Sequence, residues 1–222
     1  MGAGIGVASQ MARGMILAVD GPAASGKGTI ARALAAHYGL PHLDTGLLYR
    51  AVGVSCARAG GHAGNAADAT AAANFPNALL NDPELRSEAA GALASRVSIH
   101  PAVRAALLQR QRAFAAQPKG AVLDGRDIGT VIAPKASAKL FVTASPEVRA
   151  KRRHAEDVSH DYATILADIL ARDARDSSRA VAPLIRARDA DLLDTTNLSI
   201  GDAVQAAIAL VNARLQAAQS QQ

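Results

Sequence analysis

The stretch Gly21-Pro22-Ala23-Ala24-Ser25-Gly26-Lys27-Gly28-Thr29 carries the clearest chemistry in the sequence. Its glycines permit a tight turn whose backbone N–H groups converge on one concavity, the geometry that holds a phosphate. Lys27 adds a positive charge, and the Thr29 hydroxyl offers a hard oxygen suited to Mg²⁺. The spacing Gly-x-x-x-x-Gly-Lys is that of a phosphate-binding loop, with Gly28 where Ser or Thr is usual and Thr29 one position later. Before it, Met15-Ile16-Leu17-Ala18-Val19-Asp20 reads as a strand; after it, Ile30 to Tyr38 reads as a helix. Such a loop requires strand, turn and helix in that order, because the helix N-terminus adds its partial positive charge to the cradle. Gly21 to Thr29 are therefore expected to hold the phosphates of a nucleotide, with Lys27 reaching the β- and γ-phosphates. Thr29 is expected to hold Mg²⁺ directly or through water.

Charged residues recur where a parallel α/β sheet would present them to a ligand. His42-Leu43-Asp44 reads as a short strand, and Thr45 is placed to cap the helix that carries Arg50. Ala121-Val122-Leu123-Asp124 reads as a buried strand ending in Gly125-Arg126-Asp127, at the carboxyl end where ligands bind in open α/β sheets. Asp124 is suited to assist Mg²⁺ through water and Arg126 to meet phosphate. Asp127 is suited to accept from a base or to hold an arginine. A strand over Lys139–Thr143 precedes Ser145-Pro146, a helix-start signal. That helix carries Arg149, Arg152 and Arg153, and a second over Tyr162–Asp176 leads through Arg172 and Arg175 to Arg179, interleaved with Asp173 and Asp176. The two basic helices read either as an exposed salt-bridged pair or as a mobile lid that closes arginines over a transferring phosphoryl group. Ala190 to Thr196 reads as a final strand, Ile200 to Leu215 as a terminal amphipathic helix started by Ser199 and Asp202, and Gln216 to Gln222 as a polar tail.

Three strings, taken with the Gly-Lys-Gly-Thr of the loop, carry a resemblance. They are Asp44-Thr45-Gly46-Leu47-Leu48-Tyr49-Arg50, Asp124-Gly125-Arg126-Asp127-Ile128-Gly129-Thr130-Val131, and Arg172 to Arg179 with Ala182-Pro183-Leu184. Together, in this order, they resemble the bacterial cytidylate kinases, nucleoside monophosphate kinases that phosphorylate CMP and dCMP. The resemblance spans about residues 15–211. It implies an α/β P-loop NTPase fold, a parallel sheet of about five strands flanked by helices, in a single kinase domain over 15–222. It also implies an acceptor-binding insertion over about 51–112 and a lid over about 150–180, with His154 to His160 at the lid tip. In the family the insertion usually carries a small β-meander. Here Arg58 to Asp82 is shorter and reads as loops and weak helices. The implied acceptor site is Thr45, Arg50 and Arg126 on the phosphate, Ser95, Arg104 and Asp127 on the base, and Arg172, Asp176 and Arg179 at the sugar and phosphate. The implied catalytic charges are Lys27, Arg126, Arg149, Arg153 and Arg175. From periodicity alone, Arg104 reads equally well as a surface arginine.

Composition narrows the alternatives. With 222 residues and half of them apolar, one or two domains with a sizeable core are expected. The net charge of +5 suits nucleotide phosphates as well as nucleic acid, but aromatics make up only 3% and Trp is absent, which removes the usual stacking platforms. A P-loop switch for guanine nucleotides wants an Asn-Lys-x-Asp element, and none is present. Cys56 is alone and is expected as a small buried hydrophobe on a helix, in keeping with a reducing cytoplasm. No apolar run reaches membrane-span length. Residues 1–14 read as a disordered tail without a signal-peptide pattern, with Met11 or Met15 as other possible starts. The scattered histidines, His42 among them, show no metal-ligand spacing and read as ordinary surface or loop residues. The expected partners are ATP and CMP or dCMP, bound by a cytoplasmic monomer.

Overall fold

The computed structural model describes residues 14–156 and 161–220. The expected tail before Gly14 and the end of the expected lid tip lie outside the described residues. The chain divides into two compact units, one drawn from Met1–Leu43 and Ala115–Gln222, the other from Asp44–Phe114.

The first unit is built on a five-stranded sheet. Its strands are β1 (Met15–Asp20), β2 (His42–Asp44), β3 (Gly120–Gly125), β4 (Ala138–Thr143) and β5 (Asp191–Asp194). Their order is β2-β3-β1-β4-β5, with β1 pairing in parallel to β3 and β4, and β4 to β5. β1 is buried along its length apart from Ile16. Burial on both faces is why it reads as a continuous apolar run rather than an alternating one. Helices α1 (Lys27–Tyr38) and α8 (Ile200–Gln219) cover one face through a core that includes Leu17, Val19, Leu34, Val122, Leu140, Val142, Ala207 and Val211. α8 starts where Ser199 and Asp202 were expected to cap it: the Asp202 amide donates to Ser199 Oγ at 3.1 Å. It runs on to Gln219, so most of the expected polar tail is its last turn. Solvent-facing Gln and Ala are good helix formers, so the loss of apolar periodicity marks the end of the buried stripe, not of the helix.

Within the second unit, α2 (Thr45–Arg58), α3 (Ala66–Ala71), α4 (Glu88–Val97) and α5 (Pro101–Ala115) alternate with two 3₁₀ turns at Asn77–Asn81 and Pro83–Arg86. No strand occurs between 45 and 114. The sequence accounts for several of these starts, which fall on capping side chains. Asn65 Oδ1 accepts from the Ala67 amide at 2.9 Å, Asp82 Oδ1 from Glu84 at 2.9 Å and Ser87 Oγ from Ala90 at 3.1 Å. Asp44, not Thr45, caps α2, accepting from the Gly46 amide at 2.9 Å, and Thr45 is the first helical residue. α2 approaches α4 closely at Gly53, where a Cβ would lie 2.6 Å from the Leu93 side chain. Cys56 is buried on α2, as expected.

Candidate active site

The loop between β1 and α1 closes as its sequence requires. Gly21 has φ 155°, and a Cβ there would lie 2.0 Å from the Val142 carbonyl oxygen. Gly26, also at positive φ, precedes α1, and its carbonyl accepts from the Thr29 and Ile30 amides at 3.1 Å each. Lys27 Nζ donates to the Pro22 carbonyl at 3.3 Å, back across the loop. Ser25 Oγ is buried and has no hydrogen-bond partner among the described residues. Outside the loop is a cavity of about 480 Å³, lined by Ala24 to Ile30, Arg32, Arg152, Arg153, Ala155, Thr195, Leu198, Ser199, Ile200 and Ala203. Arg152 is held in place there, donating to Thr195 Oγ1 at 3.0 Å and to the Thr195 carbonyl at 2.6 Å. The Thr195 hydroxyl in turn donates toward the Ser25 carbonyl at 3.1 Å.

Carboxylates crowd the carboxyl ends of β1 and β3. Asp20, the residue before Gly21, accepts from the Ile128 amide at 2.8 Å and the Gly129 amide at 2.7 Å. Burial pushes its carboxyl up from 3.8 to about 6, with help from the Asp127 charge. The Gly129 and Ile128 amides and Arg126 act in the opposite sense. Asp20 thereby ties the start of the phosphate loop to the turn Ile128–Ile132. Asp124 is buried, with Oδ1 3.9 Å from where a Cβ on Gly28 would sit and Oδ2 2.6 Å from His42 Nε2. Oxygen donors from Thr29 and Asp124 near the first turn of α1 fit a hard divalent cation. Among the described residues no three His, Cys, Asp or Glu side chains cluster as metal ligands. A cation here would share its coordination with substrate phosphates.

The arginine-rich helices are α6 (Pro146–Glu156) and α7 (Tyr162–Ser177). Ser145 caps α6 as expected, accepting from the Val148 amide at 3.3 Å. Arg149 is turned inward at 3% exposure. Its guanidinium donates to the Ala144 carbonyl at 2.9 Å and the loop's Ala23 carbonyl at 3.2 Å. It also clasps Asp173 on α7 at 3.1 and 2.5 Å. Arg153 lines the cavity, and Arg175 is exposed on α7. Arg179 lies just past the end of α7, not within it. Asp176 is 1% exposed and receives Arg126 Nε on Oδ2 at 2.6 Å and Arg179 on Oδ1. Burial alone would raise its carboxyl. The charges of Arg126, Arg179 and Arg172 outweigh burial and hold it below the usual carboxylate range. Asp127 is buried at the end of β3.

The remaining sequence-predicted residues belong to the second unit. Thr45 and Ser95 are buried, and Ser95 Oγ has no hydrogen-bond partner among the described residues. Arg104 is 8% exposed, which excludes the surface-arginine reading; its guanidinium lies 5.7 Å from the Tyr49 ring centroid. Arg50 donates to the carbonyls of Leu85 at 2.7 Å and Ser87 at 2.8 Å.

Residues 17–213 match the sequence model of the cytidylate kinase family. The chain belongs to the cytidylate kinase family. It is 60% identical over 204 residues to a cytidylate kinase of Xanthobacter autotrophicus, covering 90% of this chain and 98% of that one. A cytidylate kinase of Azorhizobium caulinodans is 57% identical over 201 residues, with coverage of 89% and 98%. Among solved structures, a gluconokinase from Sinorhizobium meliloti matches with a TM-score of 0.55 at 15% identity, over 93% of this chain and 97% of that one. That likeness is one of fold, the P-loop core. Two residues of this site carry no signal in the sequence that singles them out: Asp20, which reads as the end of a strand, and His42, which reads as a surface histidine. No helix among the described residues is long and apolar enough to cross a membrane.

Proposed function

We propose that the protein transfers the γ-phosphoryl group of ATP to CMP or dCMP by direct in-line transfer, giving ADP and CDP or dCDP. The observation that carries this reading is the Gly21–Thr29 loop at the carboxyl end of the central strand. It opens on a cavity lined by Lys27, Arg152 and Arg153. The loop amides and Lys27 hold the donor's β- and γ-phosphates. The stretch of cavity wall at Leu198, Ser199, Ile200 and Ala203, largely apolar, receives the donor base. Thr29 and Asp124 would hold Mg²⁺, each directly or through water. When bound, Mg²⁺ neutralises charge on the phosphate oxygens.

On the acceptor side, Thr45, Arg50 and Arg126 hold the CMP phosphate. Cytosine offers acceptors at O2 and N3 and a donor at its amino group. Arg104 has only donors and suits the first two, while ionised Asp127 only accepts and suits the third. The buried Ser95 hydroxyl without a partner supports a base site in the second unit, since such a group costs free energy unless a ligand pairs with it. Arg172 and Asp176 meet the ribose, and Arg179 with Arg126 joins Asp176 to the acceptor phosphate. Arg149, Arg153 and Arg175 bring positive charge to the transferring group as α6 and α7 close, which also keeps water from competing as acceptor. The enzyme works in the cytoplasm as a monomer. Phosphorus NMR of the protein with ATP, CMP and MgCl₂ tests the reading. Equal amounts of CDP and ADP are expected, whereas ADP and inorganic phosphate without CDP would contradict it.

A further inference from the structure

His42 and Asp124 are 82 residues apart in sequence. Neighbouring strands β2 and β3 bring His42 Nε2 to 2.6 Å from Asp124 Oδ2. The Asp124 side chain is 3% exposed and that of His42 18%. An ionised carboxylate can only accept, so Nε2 carries the proton and donates. The two carboxylate oxygens are thereby divided. Oδ2 is engaged by His42, and Oδ1 faces the first turn of α1, 3.9 Å from where a Cβ on Gly28 would sit. The end of a strand fixes Cα and Cβ of an aspartate but not its last torsion, which is broad and nearly two-fold. A hydrogen bond from a group on the adjacent strand removes that freedom.

We propose that His42 is a positioning residue for Asp124, setting the plane of the carboxylate so that Oδ1 is presented to the cation held beside Thr29. The proposal rests on the metal reading given above. A ligating carboxylate is in turn commonly oriented by an outer hydrogen bond, and losing such a partner typically costs 10–100-fold in metal affinity. A plain tie between β2 and β3 would behave differently: its loss would lower stability and leave cation affinity alone.

The test is Mn²⁺ binding, followed by the electron paramagnetic resonance of free Mn²⁺. It uses the full chain saturated with the β,γ-imido analogue of ATP. His42→Leu is expected to weaken Mn²⁺ about tenfold, with a matching rise in half-saturating Mg²⁺ during turnover and KM for CMP within about twofold of the parent. His42→Gln, whose amide N–H reaches the Nε2 position, is expected to recover most of the loss. If His42→Leu does not fold, as judged by circular dichroism, His42→Asn replaces it, because its amide stops short of Asp124, and the same loss is expected. Asp124→Asn is the reference and is expected to lose at least as much. Wild-type Mn²⁺ affinity in His42→Leu beside a loss in Asp124→Asn would overturn the role of His42 alone. A His42→Gln as weak as His42→Leu would do the same. Unchanged affinity in Asp124→Asn would overturn the metal reading and the proposal together.

Discussion

Replacing Asp20 by Asn should make the protein's stability less sensitive to pH, with a sign and size that follow from the site. Asp20 is buried at 4% exposure, and burial is the largest cause of its rise from 3.8 to about 6. At about 1.36 kcal/mol per pH unit, that gap corresponds to about 3 kcal/mol. The raised value means that the folded state holds the proton more tightly than the unfolded chain. The group's stabilisation is therefore fully present below pH 3.8 and is lost as pH rises through about 6. Of the total, about 2 kcal/mol is lost between roughly pH 4.5 and pH 7.5. Asparagine does not titrate, so Asp20→Asn should gain about 2 kcal/mol on the parent over that interval, whatever fixed cost its amide imposes beside the Ile128 and Gly129 amides. Carboxylates shifted the other way, Asp176 among them, act equally in both proteins and cancel in the difference. Urea unfolding followed by circular dichroism, on both proteins at both pH values, gives the four free energies. A difference between the proteins that stays constant across the interval would refute the assignment of a buried, proton-retaining carboxyl at the base of the loop.

On the proposed role of Lys27 beside the transferring group, Lys27→Ala should retain the circular dichroism of the parent and lose about 10²–10³-fold or more in kcat. Near-normal turnover would remove Lys27 from the chemistry. Arg149→Ala leaves the carbonyls of Ala23 and Ala144 and the Asp173 carboxylate without their donor. Asp173 keeps partial access to solvent, so losing these charge-assisted hydrogen bonds costs about 1.5–3 kcal/mol, or roughly 3–12 °C in Tm for a chain of this size. A melting temperature within about 2 °C of the parent would show that the clasp is not a stabilising contact. Asp176→Ala should be destabilised on the same scale, because it leaves Arg126 and Arg179 facing each other. If Asp176 also reads the sugar, CMP and dCMP turnover fall by different factors. Equal losses would leave it only the task of holding the arginines.

The parts of this site that lie close together in sequence were legible, and the parts assembled by the fold were not. β1, the loop and α1 announce themselves because a strand buried on both faces is apolar throughout and the glycines leave few other conformations. The short helices that follow Asn65 and Ser87 start on single capping side chains, which no periodicity reveals. Three arginines along α6 look equivalent by spacing. What distinguishes Arg149 is Asp173, 24 residues away on another helix, and two carbonyls that are invisible as residue types. Arg104 could not be told from a surface arginine by its position off the apolar stripe, yet it is buried beside Tyr49. His42 is paired only because β2 lies beside β3, a fact of strand order rather than of local sequence.

The central claim, phosphoryl transfer to cytidylate, is tested most directly by kcat/KM from ADP release, coupled to NADH oxidation, across CMP, dCMP, UMP, AMP and GMP. A correct base contact against a mismatched one is worth about 1–3 kcal/mol in comparable hydrogen-bond readout. CMP and dCMP should therefore exceed UMP by at least about tenfold, with the purines lower still. Asp127→Ala should narrow the CMP to UMP ratio, chiefly by losing CMP activity. A preference for AMP, or ADP release that no acceptor accelerates, would contradict the account.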